Sequence, residues 1–205
     1  MKSAAIVVCM SCTHSRCGAP REGYMRFELK RRTTVVHERL DAAVSRLSLA
    51  DRGAYTVFLQ TNQAAYQSLL TVIPGRHWMT QILQQGRAEL VRDLDVLGAS
   101  EPDHRVVTIP SLHPLAVAYV VTGSHFGKEI LSRRWAETTD PKVAAAGTFL
   151  TSSRLAAGWK ELMVELDDVP RTNAMIQTLA TDADRVFTLF YDCFCAVSHL
   201  EKLDA

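Results

Sequence analysis

The sequence predicts an all-α fold, a single-domain bundle of several helices, and three observations carry that expectation. From Phe27 onward apolar residues recur at helical spacing, no stretch alternates apolar and polar residues as a half-buried strand does, and no internal repeat is visible. A chain of 205 residues, 47% hydrophobic and 22% charged, suits one substantial core, whereas two domains would be cramped. Lys and Arg (23) nearly balance Asp and Glu (22), so no global field recruits nucleic acid or an anionic membrane. No apolar run is long enough to cross a bilayer, and "AAIVVCM" near the start is short for a signal-peptide core and lacks a small-x-small cleavage site after it. The expectation is a cytoplasmic protein with no membrane partner.

Residues 1 to 24 stand apart from the periodic pattern and read as an N-terminal arm that the domain of residues 25 to 205 does not need, with Met25 just ahead of the first helix. Within the arm Cys9, Cys12, His14 and Cys17 can in principle offer thiolate and imidazole ligands to zinc. No second pair with finger-like spacing follows them, and a reducing cytoplasm argues against a disulfide framework. Cys193 and Cys195 fall on a helix and read as small buried hydrophobes.

The first helix carries Leu29, Val36, Leu40, Ala43 and Leu47 as its core stripe, and the same run, "LKRRTTVVHERLD", contains His37. "SLAD" then offers Ser48 as an N-cap with Asp51 three residues on, opening a second helix with Tyr55, Phe58, Leu59, Tyr66, Leu69 and Leu70 on its apolar face and "IPG" at its end. A third helix runs from about Trp78 to Leu97 and stops at Gly98. After a polar, proline-bearing connection, Pro114 suits the first turn of the next helix. That helix is predicted as one piece, "PLAVAYVVTGSHFGKEILSRRWAE", with Gly123 and Gly127 inside it, each costing about 1 kcal/mol relative to alanine. Four residues apart, the two glycines share a face and let backbone approach another object closely, either a neighbouring helix at a small-residue seam or a flat ligand. Beyond the Asp140 to Pro141 loop lie two or three more helices. Trp159, Leu162, Met163 and Leu166 mark one core face and Ile176, Leu179, Val186, Phe187, Phe190 and Phe194 another; "DDVPRTN" (167–173) is the break between them, with Pro170 opening the next element.

Taken together and in order, "LKRRTTVVHERLDAAV", "SLSLADRGAYTVFL", "AYVVTGSHFGKEIL" and "GTFLTSSRLAAGWKELMVEL" resemble the biliverdin-producing heme oxygenases, especially the short bacterial ones. The resemblance covers Phe27 to the C-terminal helix and leaves the cysteine arm unmatched. It implies a heme, both cofactor and substrate, sandwiched between the first helix and the glycine-bearing helix, with His37 as the axial iron ligand. In that family dioxygen and electrons from an external donor, a ferredoxin- or flavin-type reductase or ascorbate in vitro, open the heme ring to biliverdin, carbon monoxide and ferrous iron. The product can supply a bilin-binding photoreceptor.

The residue chemistry is consistent with those roles. A neutral imidazole suits heme iron, and Asp41, one turn on, can partner its other nitrogen. Lys30 lies two turns before His37, within reach of a heme propionate. By the resemblance Lys160 is a second propionate-binding base, while a third basic position is taken by Val164. Gly123, Ser124 and Gly127 are the expected catalytic, oxygen-side surface, with Ser124 orienting water where some relatives carry an acid. Lys128 replaces a glycine that many relatives have there; it points about 140° around the helix from Gly123 at roughly 100° per residue, toward the pocket edge and a propionate. His125 faces away from the glycines and is not expected to bind iron. Two other readings fit the same residues: a heme- or bilin-binding sensor or carrier without turnover, and a helical scaffold in which His37 is structural and the glycines form a seam.

Overall fold

The computed structural model describes residues 24–100 and 109–201. Within them the chain is all-helical: α1 (Tyr24–Val44), α2 (Arg52–Leu70), α3 (Trp78–Leu97), α4 (Pro114–Gly123), α5 (His125–Ala136), α6 (Pro141–Ala145), α7 (Thr148–Thr151), α8 (Arg154–Asp168) and α9 (Asn173–Glu201). The expected all-α bundle is therefore present. The α1–α9, α2–α3 and α4–α8 pairs make the main contacts, and α4 also packs on α9. Residues Leu115 to Thr122 of α4 are all buried, which suits a helix that is apolar all round and sits at the centre of the bundle. The cysteine arm, the Cys9, Cys12, His14 and Cys17 cluster included, lies outside the described residues. Tyr24 is already helical and Met25 is fully packed, which puts the start of the domain one residue earlier than the sequence suggests.

Local chemistry sets most boundaries where the sequence places them. Gly98 closes α3 with φ 72°, a conformation that a side chain would strain. Pro114 opens α4 behind His113, whose Nδ1 accepts the Leu115 amide, and His77 caps α3 in the same way. Asp93, wholly buried on α3, accepts the Thr148 and Phe149 amides at 2.9 and 2.8 Å. Its carboxylate thereby anchors the start of α7 and the entry to α8.

Several expectations need correction. Asp51, not Ser48, is the N-cap of α2: its side chain accepts the Ala54 amide, while Ser48 forms a turn whose carbonyl accepts the Asp51 amide. Accordingly α1 ends at Val44 and Leu47 packs from the connecting turn. Pro170 lies in the loop before α9, which begins at Asn173, where the Thr172 hydroxyl accepts the Met175 amide. The helix expected from Pro114 to Glu137 is two helices, broken at Ser124. There the Gly127 amide bonds the Ser124 carbonyl three residues back instead of continuing the four-residue ladder. Of the two C-terminal cysteines, Cys193 is buried and its thiol is pushed up to about 12 by that burial, whereas Cys195 is only half-buried.

Candidate functional site

A cavity of about 670 Å³ opens between α1 on one side and α2, the α4–α5 break and α9 on the others. Its size falls within the roughly 300–1,000 Å³ of small-molecule sites. The helical register of α1 brings Lys30, His37 and Asp41 to it at spacings of seven and four residues, so they share one face. Gly123, Ser124 and Gly127 border the same space from α4 and α5. Six of the eight residues singled out in the sequence are thus assembled around one cavity.

His37 is held on two sides. Phe187 meets its ring edge-on, with centroids 5.2 Å apart, and Asp41 Oδ2 lies 3.4 Å from Nδ1. Burial lowers the imidazole pKa, Glu38 raises it and Lys30 lowers it further. Burial, aided by Glu38, pushes the Asp41 carboxyl up to about 7. At neutral pH the imidazole is therefore held toward its neutral form while the carboxyl beside it is only about half ionised, so the two are not a full ion pair. With Nδ1 assigned to the carboxyl side, the Nε2 lone pair is left for a ligand.

On the opposite wall Ser124 donates its hydroxyl hydrogen to the Val121 carbonyl at 2.7 Å, leaving only lone pairs for anything beside it. Gly123 borders both the cavity and α8: a Cβ there would sit 3.4 Å from Trp159, an ordinary contact. The glycines that admit close helix approach are others. A Cβ at Gly86 would come within 2.5 Å of Tyr66, one at Gly147 within 2.6 Å of Trp135, and one at Gly158 within 2.9 Å of Thr122.

Lys128 and Lys160 are not brought to the cavity wall. The Lys128 ammonium donates to the Ser152 carbonyl, tying α5 to the α7–α8 junction, and its pKa is lowered by burial and by Arg154. Lys160 follows Trp159 on α8 and faces solvent, as does Val164. Rotation accounts for Lys160: one residue along a helix turns a side chain by roughly 100°, so Trp159 at the cavity sends its neighbour elsewhere. His125 donates from Nδ1 to the Thr122 carbonyl at 2.7 Å, as assigned, and does not border the cavity.

Sequence reasoning overlooked the rest of the lining. Phe187, Phe190 and Phe194 read as a core stripe, and they form the apolar α9 wall. Arg46, exposed in the turn after α1, borders the cavity together with exposed Lys30. Thr61, Asn62 and Tyr66 supply a polar strip on α2, for which the only signal was "QTNQ" (60–63) interrupting an apolar helix. No protein-family model and no curated protein matches this chain.

Proposed function

We propose that this protein binds heme in the α1/α4–α5 cavity through His37 and oxidatively opens it to biliverdin, carbon monoxide and ferrous iron, using dioxygen and electrons from an external donor. The observation that carries the reading is a partly buried, neutral histidine on the wall of a large apolar cavity, with the glycine-bearing helix break bordering the same space. Among the described residues no three His, Cys, Asp or Glu side chains gather as a metal site. An iron held by His37 therefore needs its remaining ligands from its own macrocycle, which a porphyrin supplies.

The residues fit that group. Lys30 and Arg46, exposed and bordering the cavity, suit the propionates, the role the sequence suggested for Lys30 and Lys128 from their helical positions and for Lys160 by the resemblance. Phe187, Phe190, Phe194 and Trp159 offer apolar surface to the ring and exclude water from it. Asp41, 3.4 Å from Nδ1, stands where it can partner that nitrogen and so set the imidazole tautomer. The wall at Gly123 and Gly127 carries no side chains and leaves space on the oxygen side, where the Ser124 lone pairs can accept a hydrogen bond from water. When bound, heme supplies both the redox-active iron and the carbon framework that is oxidised; the protein contributes binding, orientation and exclusion.

The test is turnover. With hemin bound, ascorbate or a reductase system under air should bleach the Soret band and produce the biliverdin spectrum. A Soret band that persists under those conditions would leave a heme carrier or sensor on the same scaffold. The product could supply a bilin-binding photoreceptor or be the by-product of iron release, and the described helices include none long and apolar enough to cross a membrane.

A further inference from the structure

Thr61 differs from the other hydroxyl-bearing residues of the cavity wall. Thr33, Thr34, Ser45 and Ser124 all donate to backbone carbonyls three or four residues back, at 2.7 to 3.0 Å. The Tyr66 hydroxyl is engaged by Arg154, which is itself paired with Glu89 at 2.6 Å, and the Tyr119 hydroxyl is engaged by Thr33. The Thr61 hydroxyl has no hydrogen-bond partner, although the residue is 3% exposed and sits mid-helix, where bonding back to the preceding turn is the usual outlet. A buried, unmade hydrogen bond is costly. The hydroxyl itself has almost no exposed surface, so it reaches a ligand in the cavity that Thr61 borders by a turn about χ1 to another staggered rotamer.

The macrocycle of heme does not satisfy such a donor. Its edge carries methyl, vinyl and methine carbons, and its only oxygen acceptors are the two carboxylates, for which Lys30 and Arg46 stand at the rim. An open-chain tetrapyrrole is different: ring opening leaves two lactam carbonyl oxygens, on the pyrrole carbons that flanked the lost meso carbon, each a good acceptor. We propose that Thr61 is a specificity residue that donates a hydrogen bond to a lactam oxygen of a linear tetrapyrrole, so that the cavity distinguishes a bilin from its macrocyclic parent. The inference rests on the tetrapyrrole reading of this cavity. It assigns part of the α2 wall to recognition of the open-chain product.

Wild type, Thr61→Val and Thr61→Ser are titrated separately with hemin and with biliverdin, followed by absorbance and by quenching of tryptophan fluorescence. Loss of one hydrogen bond corresponds to about a 3- to 10-fold weaker Kd. Thr61→Val should show that loss for biliverdin, with hemin affinity changed less than about twofold, and Thr61→Ser should restore biliverdin binding. Apo Thr61→Val should melt at or above the wild-type temperature, because it removes an unsatisfied polar group. Equal weakening of both ligands, unchanged biliverdin binding, or a marked fall in the apo melting temperature would each overturn the assignment. If wild type binds hemin but the variants behave alike toward biliverdin, only the Thr61 proposal fails; if wild type binds neither ligand, the heme reading fails with it.

Discussion

Asp41 shows how much of the site depends on one buried group. Its carboxyl titrates near 7 in the fold against an ordinary value near 4, because burial and Glu38 both oppose its ionisation. A raised acid pKa means that folding resists the charged form. The penalty is absent below about pH 4, grows as pH rises toward 7, and is fully present above it. Asp41→Asn should therefore stabilise the apo protein at pH 8, by about 1–2 kcal/mol once solvent screening is allowed for, and change little near pH 4. Thermal melts of both proteins across that range check it; a variant less stable than wild type at pH 8 would count against a strained carboxyl. His37 acts in the opposite direction, since its lowered pKa costs stability only as pH falls through and below about 6.5. The identity of this pair was legible in the sequence, because i and i+4 on an amphipathic helix must share a face. Thr61 and Asn62 were not: a polar residue within a helix points to a cavity or to solvent depending on packing that the local sequence does not contain.

Among the elements, the break between α4 and α5 decides what the two glycines do. Gly123 ends α4 and touches only Trp159 across the interface, and Gly127 is the one buried residue of α5. Where Gly123 has room for a methyl, Gly86, Gly147 and Gly158 do not. Spacing alone could not separate these cases, because a glycine facing a neighbouring helix and one facing empty space look identical in sequence. Gly98 and Pro114 were readable for the opposite reason: a left-handed cap and a missing amide are local requirements. Two variants follow. Gly86→Ala forces its methyl into the Tyr66 ring and the Arg154 guanidinium, and should cost about 1–3 kcal/mol in a denaturant titration. On the proposed heme reading, Gly127→Leu should fold and still bind hemin through His37, yet yield little biliverdin, since Gly127 borders the cavity and a leucine there would take up space within it. Apo melts beside biliverdin yield separate the outcomes: a large fall in melting temperature with proportionate, otherwise normal turnover would make Gly127 a packing position.

At the scale of the whole molecule the cavity is enclosed by helices far apart in sequence, its lining running from Lys30 to Phe194. A bundle of amphipathic helices was predictable from period alone. The wall that α2 and α9 present was not, since it arises from helices distant in sequence failing to fill the space between them. Two consequences concern the molecule entire. Among the described residues the lining begins at Lys30, so on the proposed reading a chain lacking residues 1 to 23 should bind hemin as the full chain does, measured by the same titration. Hemin at about a hundredfold its Kd should stabilise the fold by roughly 2.7 kcal/mol, read as a higher melting temperature.

The central claim is that this cavity holds heme on the His37 imidazole, and hemin titration of wild type beside His37→Ala, followed at the Soret band, tests it most directly. Wild type should saturate at one equivalent with a histidine-ligated ferric spectrum, and His37→Ala should lose that spectrum and partly regain it with added imidazole. An unaltered Soret band in His37→Ala, or no saturable band in wild type, would contradict the account.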